Sequence, residues 1–130
     1  PISLLGRWLA RMSEDARETC LFCRIADGKI HATQVLANDD VVAFRDVNPQ
    51  APLHVLIIPR AHIAGINAPE ALNGDVLVAL IEAATQVARE QGVDESGYRL
   101  VWNVGPDAGQ SVFHLHLHVL GGRSLAWPPG

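Results

Sequence analysis

Three of the chain's six histidines fall at alternate positions in one short stretch, Gln110-Ser111-Val112-Phe113-His114-Leu115-His116-Leu117-His118-Val119-Leu120. In a β-strand, alternate side chains point to opposite faces. The spacing therefore predicts one strand with His114, His116 and His118 on one face. Phe113, Leu115, Leu117 and Val119 then share the other face, against a core. Residues two apart on a strand are separated by roughly 6.6 Å. Two such imidazoles can lean toward one metal ion, but three in line span about 13 Å and cannot converge without strain. The row implies divided labour, with at least one imidazole free for acid/base or nucleophilic work.

Just before it lies Gly105-Pro106-Asp107-Ala108-Gly109. Glycines allow backbone N–H groups to crowd an anion without Cβ obstruction. Ser111 adds a hydroxyl. A phosphate cradle beside a row of imidazoles points to phosphoryl or nucleotidyl transfer. Cys20 and Cys23 form a C-x-x-C pair. In a reducing compartment this reads as a metal or redox pair rather than a disulfide framework. No βαβ pattern of thioredoxin kind surrounds it.

The elements that must position these residues read as α+β. Residues 20–29 form a short helical turn ending near Gly28, a C-cap residue. Strands over 33–37 and 41–46 flank the turn Asn38-Asp39-Asp40 and form a hairpin. Pro49 and Pro52 keep 48–52 a loop. A strongly apolar strand covers 53–58, stopped by Pro59. Residues 69–91 form the one long helix, with Leu77, Leu80, Ile81, Ala84, Val87 and Ala88 on its apolar stripe, ended by Gly92. A strand over 98–104 precedes the glycine turn, and Gly121-Gly122 closes the histidine strand. The expected architecture is a mostly antiparallel sheet of about five strands, one long helix and a short N-terminal helix.

The chain has 130 residues, 48% of them hydrophobic, and a net charge of −4. It is long enough for one domain with its own core. The acidic balance, with no basic run, gives nucleic acid no electrostatic footprint, and no apolar stretch reaches transmembrane length. Residues 1–18 read as an N-terminal extension and 19–130 as the domain. Ile2, Leu4, Leu5, Trp8 and Leu9 have helical spacing beside Arg7 and Arg11. That suits an amphipathic docking helix, an extension upstream of a natural start at Met12, or a processed targeting remnant; a signal peptide would be longer.

The run from Gly109 to Arg123 resembles the signature of the histidine triad (HIT) superfamily. The ending Trp127-Pro128-Pro129-Gly130 resembles its Hint branch, the purine-nucleoside phosphoramidases. Phe44-Arg45-Asp46, Pro49-Gln50-Ala51-Pro52-Leu53-His54 and Ile57-Ile58-Pro59-Arg60-Ala61-His62-Ile63 match as well, so the likeness covers about residues 19–130. It implies a HIT-like fold with the sheet continued across a homodimer, a cytoplasmic location, and hydrolysis of nucleoside 5′-phosphoramidates through a nucleotidyl-histidine. On this resemblance His116 is the nucleophile, His118 and His54 hold phosphate oxygens and help move protons, and Ser111 donates to the leaving atom. Asn103, Gly109 and Gln110 bind the phosphate and its ribose side, and Asp46 accepts the ribose hydroxyls. Leu21, Phe22, Ile25, Ile30, Phe44 and Leu56 form the purine slot, and Trp127 sits on a tail that reaches the partner's site. Cys20, Cys23, His62 and His114 correspond to a structural zinc site in some bacterial-type relatives.

Trp102, Val104, Pro106 and Ser124-Leu125-Ala126 depart from the usual pattern, which bears on the choice of amine. Dinucleoside polyphosphate or adenylyl-sulfate hydrolysis, and a non-catalytic nucleotide-binding or scaffold module, are the competing expectations.

Overall fold

Leu53–Pro59 (β3) is buried at every position, which a strand achieves only when both faces of its sheet are covered. The computed structural model describes residues 16–130. The expectations for residues 1–11, and most of the proposed 1–18 extension, lie outside the described residues. A helical turn over 16–19 leads to α1 (Leu21–Ala26). Then come β1 (Gln34–Ala37), β2 (Val41–Arg45), β3, a 3-10 turn (Pro69–Asn73), α2 (Asp75–Glu90), β4 (Tyr98–Val101), a second 3-10 turn (Pro106–Ala108) and β5 (Leu117–Gly121). The five strands stand in the order β1-β2-β3-β5-β4, every neighbouring pair antiparallel.

Alternation along the strands sorts two cores. Val41, Ala43, Leu53, Val55 and Ile57 face α2 and meet Leu80, Ala84, Val87 and Ala88. Val42, Phe44, Leu56 and Ile58 face the other way and meet Phe22, Ile25 and Ala26 of α1. Burying a side chain of this size stabilises by about 1.5–3 kcal/mol, so both helices are held by apolar contact rather than by helix propensity. α1 is short, and its ends are tied. Gly28, at φ 75, lets the chain turn back after Asp27, and the Arg60 Nη1–H donates to the orphan carbonyl of Ala26 at 3.1 Å.

The structure corrects three boundaries and the membership of one buried stripe. The helix expected over 69–91 is broken at Gly74, whose φ of 91° lies outside the right-handed helical region; only the portion from Asp75 is α-helical. On α2, Ile81 is 45% exposed while Ala83 is buried, so the stripe runs through Leu80, Ala83, Ala84, Val87 and Ala88. β4 ends at Val101 rather than at 104.

The fourth correction concerns the histidine strand, which begins only at Leu117. In the β3–β5 register Leu117 faces Ile57, so Leu115 would face Pro59. Pro59 has no N–H for the ladder, and its carbonyl lies 2.9 Å from the Nε2 of His114. The Leu115 N–H donates instead to the Ile63 carbonyl at 2.6 Å. Leu115, Leu117 and Val119 still reach the α2-side core, but Phe113 has left the sheet and is 62% exposed.

Candidate active site and metal centre

A cross-strand row on the α1 face floors the site. Phe44 pairs with Leu56, Leu56 with His118, and His118 with Val101. Above this floor opens a cleft of about 410 Å³. Its walls bring together Leu21, Phe22, Ile25, Ile30, Phe44, Asp46, Leu56, Asn103, Gly109, Ser111, His116 and His118. These are twelve of the residues expected from sequence, one apolar wall opposite one polar wall.

Hydrogen bonds fix the protons on three imidazoles. The His116 Nδ1 lies 2.8 Å from the His114 carbonyl. A carbonyl only accepts, so Nδ1 carries the proton and Nε2 keeps its lone pair. The His54 Nδ1 accepts the Gln50 backbone N–H at 3.0 Å. The proton of neutral His54 is therefore on Nε2, which donates to the His118 Nδ1 at 2.9 Å. His118 in turn carries its proton on Nε2. One backbone amide thus sets two tautomers in series. Burial pushes His118 down to about 4, helped by neighbouring His116 and His54. Burial also lowers His54, against the pull of Asp46, whose Oδ2 stands 3.5 Å from its Nε2. The pair is neutral at pH 7.

Phe22 lies edge-on to His116, with ring centroids 5.1 Å apart, and to Phe44 at 5.5 Å. Asp46 Oδ1 accepts the Asn48 N–H at 2.8 Å, which turns the chain after β2 and holds the carboxylate at the cleft mouth.

Not every expected residue reaches the cleft. His54 sits behind His118 and is 6% exposed. Gln110 braces the loop: its Oε1 accepts the Gly105 N–H at 3.0 Å, and its Nε2 donates to the Ala64 carbonyl at 3.1 Å. Trp127 is 81% exposed and away from this cleft. The cradle of free glycine N–H groups is also corrected. The Gly105 N–H goes to Gln110, the Gly109 N–H to the Pro106 carbonyl, and the Gln110 N–H to the Gly105 carbonyl. The loop instead offers Gly109 and the exposed Ser111 as surface. His31, Ala32, Arg45, Val47 and Val112 line the cleft without having been anticipated. Arg45 and Val47 lie on the odd positions beside Phe44 and Asp46. The Arg45 guanidinium still points to the α2 side, where it donates to the Gln91 side chain at 3.0 Å. His31 had no sequence signal.

On the far side of Phe22 the four expected metal-ligating residues converge. The Cys20 Sγ is 3.3 Å and the Cys23 Sγ 3.4 Å from the His114 Nδ1, and the Cys23 Sγ is 3.3 Å from the His62 Nδ1. All four ligand atoms lie within 4.8 Å of one another. His114 is fully buried and donates its Nε2–H to Pro59, so its Nδ1 lone pair faces the sulfurs. This is the outer-shell bond that metal-bound histidines make. Burial, then the neighbouring Cys20, pushes the Cys23 thiol up to about 12. Burial pulls His114 down to about 4. A neutral imidazole suits a metal, and a cation reverses the penalty on the thiolates. The two-sulfur, two-nitrogen set fits zinc.

No helix among the described residues is long and apolar enough to cross a membrane. The HIT domain family profile matches residues 27–125. The 14 kDa zinc-binding protein of Brassica juncea is 43% identical over 85% of this chain and 98% of its own length. The adenylylsulfatase HINT1 of Arabidopsis thaliana is 42% identical over 85% of this chain and 76% of that protein. Among solved structures, a HIT family hydrolase from Legionella pneumophila is 50% identical, with a TM-score of 0.83, covering 86% of this chain and all of that one.

Proposed function

Because the chain belongs to the HIT domain family, we propose that it hydrolyses the P–N bond of purine nucleoside 5′-phosphoramidates through a nucleotidyl-His116 intermediate. The observation that carries this reading is the tautomer of His116. Its Nδ1–H is held by the His114 carbonyl, so an Nε2 lone pair is available beside Ser111 and His118. Nucleophilic catalysis by imidazole needs no separate base when the ring is neutral.

In the first half-reaction the Nε2 pair attacks phosphorus and the P–N bond breaks. Its electron pair stays on the leaving nitrogen, which takes a proton from solvent by way of the Ser111 hydroxyl and departs as the amine. The His114 carbonyl stabilises the positive ring that results. In the second half, water attacks phosphorus, the bond to Nε2 breaks, and nucleoside monophosphate leaves with the water's proton returned to solvent. The His118 Nε2–H donates to a phosphoryl oxygen throughout, with His54 behind it. Asp46 accepts the ribose hydroxyls, Asn103 and Gly109 border the phosphate, and the apolar wall of Leu21, Phe22, Ile25, Ile30, Phe44 and Leu56 takes the purine.

Cys20, Cys23, His62 and His114 would hold zinc in a closed four-ligand site, which supplies a structural tie and no open coordination position. The reading includes a cytoplasmic homodimer. It is supported by the edge position of β4 and by the exposed Val78, Ile81 and Leu100. In it, Trp127 serves the partner's cleft. Sedimentation at a dimer mass would check this.

The name of the Arabidopsis relative favours a second reading, adenylyl-sulfate cleavage. The discriminating assay supplies an adenosine 5′-phosphoramidate carrying a fluorescent amine and, separately, adenylyl sulfate. Turnover of the first that disappears in His116→Ala supports the proposal. Turnover of adenylyl sulfate alone, or phosphoramidate turnover that survives His116→Ala, refutes it.

A further inference from the structure

The chain's two cysteines also stand as a thiol pair. Cys20 caps α1 and Cys23 lies three residues on, its N–H donating to the Cys20 sulfur at 3.4 Å. Residues so placed are about 5 Å apart at Cα by helix geometry, inside the range that a disulfide spans. Both sulfurs converge on one atom, the His114 Nδ1, at 3.3 and 3.4 Å. They differ in access. Cys23 is fully buried, whereas Cys20 is half-buried and lines a groove of about 430 Å³ with His62, Val112 and the exposed Phe113. No Asp, Glu, Lys or Arg lines that groove, so a small uncharged oxidant reaches the Cys20 sulfur without meeting a charge. The two residues between the cysteines, Leu21 and Phe22, belong to the cleft wall.

We infer that Cys20 and Cys23 are an oxidation site for hydroperoxides, and that the disulfide formed there releases the metal and loosens the nucleotide cleft. The disulfide stands on the thiol geometry, while its effect on the cleft rests on the hydrolase reading above. The Cys20 sulfur attacks one peroxide oxygen and the O–O bond breaks. The other oxygen takes a proton and leaves as water, and Cys20 becomes a sulfenic acid. The Cys23 sulfur then attacks the Cys20 sulfur, the S–O bond breaks, and the second oxygen leaves as water. The two thiols give up two electrons and two protons, and hydrogen peroxide takes up both as two waters. Where a metal holds the sulfurs as thiolates, the protons come from solvent and the ion departs, because a disulfide offers it no thiolate. The new bond draws both sulfurs off the His114 ring and away from the cap of α1. Phe22 lies edge-on to His114, with ring centroids 6.0 Å apart, and to His116 at 5.1 Å. A shift of the two-residue loop that carries it therefore moves the base-side wall and the attacking histidine's neighbour together.

The test treats the full chain, purified with its metal, with about ten equivalents of hydrogen peroxide. Trypsin places both cysteines in the peptide Glu18–Arg24, which excludes Met12, the chain's one methionine. That peptide should become two hydrogens lighter, resist alkylation, and return to its first mass with dithiothreitol. A chromophoric chelator should record about one equivalent of zinc released. The Kd for adenosine 5′-monophosphate, by calorimetry, should rise by about tenfold or more and recover on reduction. In Cys23→Ser the reaction should stop at a Cys20 sulfenic acid, which dimedone traps. Thiols that stay reduced, a sulfonic acid or an intermolecular disulfide in place of the internal one, zinc that stays on the oxidised protein, or a Kd that moves by less than about twofold would overturn the inference. With reduced protein that binds the nucleotide, those results leave the hydrolase reading standing. Reduced protein that does not bind adenosine 5′-monophosphate would overturn that reading, and the coupling to the cleft with it.

Discussion

Replacing Cys23 by Ser removes one sulfur from the cluster of Cys20, Cys23, His62 and His114 and tests whether it is a metal centre. In a zinc tetrahedron with bonds of about 2.0–2.1 Å to nitrogen and 2.3 Å to sulfur, neighbouring ligand atoms are roughly 3.3–3.8 Å apart. The three sulfur–nitrogen separations here are 3.3, 3.3 and 3.4 Å. An ion can enter with shifts of a few tenths of an ångström, so little of its binding energy is spent on rearrangement. At a free zinc concentration a thousandfold above the dissociation constant, binding stabilises the fold by about 4 kcal/mol. For a domain of this size that corresponds to about 15 °C in Tm. The assay is metal analysis of protein purified without chelator, followed by calorimetry with and without chelator. The wild type should hold about one zinc, and chelated wild type should melt close to Cys23→Ser, both roughly 15 °C below the loaded protein. A wild type with less than about a tenth of an equivalent refutes the reasoning. So does a wild type whose Tm does not move on chelation, even if Cys23→Ser melts lower, because the serine would then report only a buried hydroxyl.

Gly122→Ala places a Cβ 2.9 Å from the Cβ of Pro52 on a backbone with φ of 87°. It should cost about 2–4 kcal/mol, read from urea unfolding. Arg60→Ala deletes donors to the carbonyls of Asn38 at 2.7 Å and Ala26 at 3.1 Å; a loss of about 1–3 kcal/mol, with faster amide exchange in α1, is expected. His118 is held at about 4 in the fold, below its ordinary 6.5, so the unfolded chain binds the extra proton. Stability should be flat above pH 7 and fall by roughly 1–2 kcal/mol between pH 7 and 5 from this residue. The pH dependence should be shallower in His118→Asn, and an equally steep fall in that variant would contradict the assignment.

The sequence was most legible where side-chain pattern and tertiary environment agree. β3 could be read from its unbroken apolar run, because burial on both faces needs no alternation. The cluster of Cys20, Cys23, His62 and His114 could be named in full only through the family resemblance, because the C-x-x-C pair by itself left a metal and a redox reading open. Boundaries failed where one residue's special backbone decides the matter. Gly74 separates the 3-10 turn at Pro69–Asn73 from the helix that starts at Asp75, and Pro59 ends a ladder two residues away on another strand. Register is not written in local sequence, so the exposure of Phe113 could not be foreseen from its alternation with Leu115. The glycine cradle failed for a related reason. Glycine permits an N–H to face an anion, but the partner that takes the bond, here the Gln110 side chain, is set only once the loop closes.

The early end of that ladder also explains how neighbouring histidines acquire different environments. Within β5, alternation fixes His118 on the α1 face beside Leu56, where Gln50 and His54 set its tautomer. Outside β5, the chain can turn the His114 ring toward the sulfurs while its carbonyl turns toward the His116 Nδ1. A regular strand would have engaged that carbonyl in the ladder and left the His116 proton free to choose either nitrogen. Pro59 therefore acts twice. Lacking an N–H, it releases residues 111–116 from the sheet, and its own carbonyl then fixes the His114 ring. Cys20 completes the link. Its sulfur faces His114 and also accepts the Cys23 N–H at the start of α1, the helix that carries Leu21, Phe22 and Ile25 into the cleft wall. The base-side wall and the group that orients His116 are thus joined through one cluster. An ion bound there would stiffen both together, without touching a reacting atom.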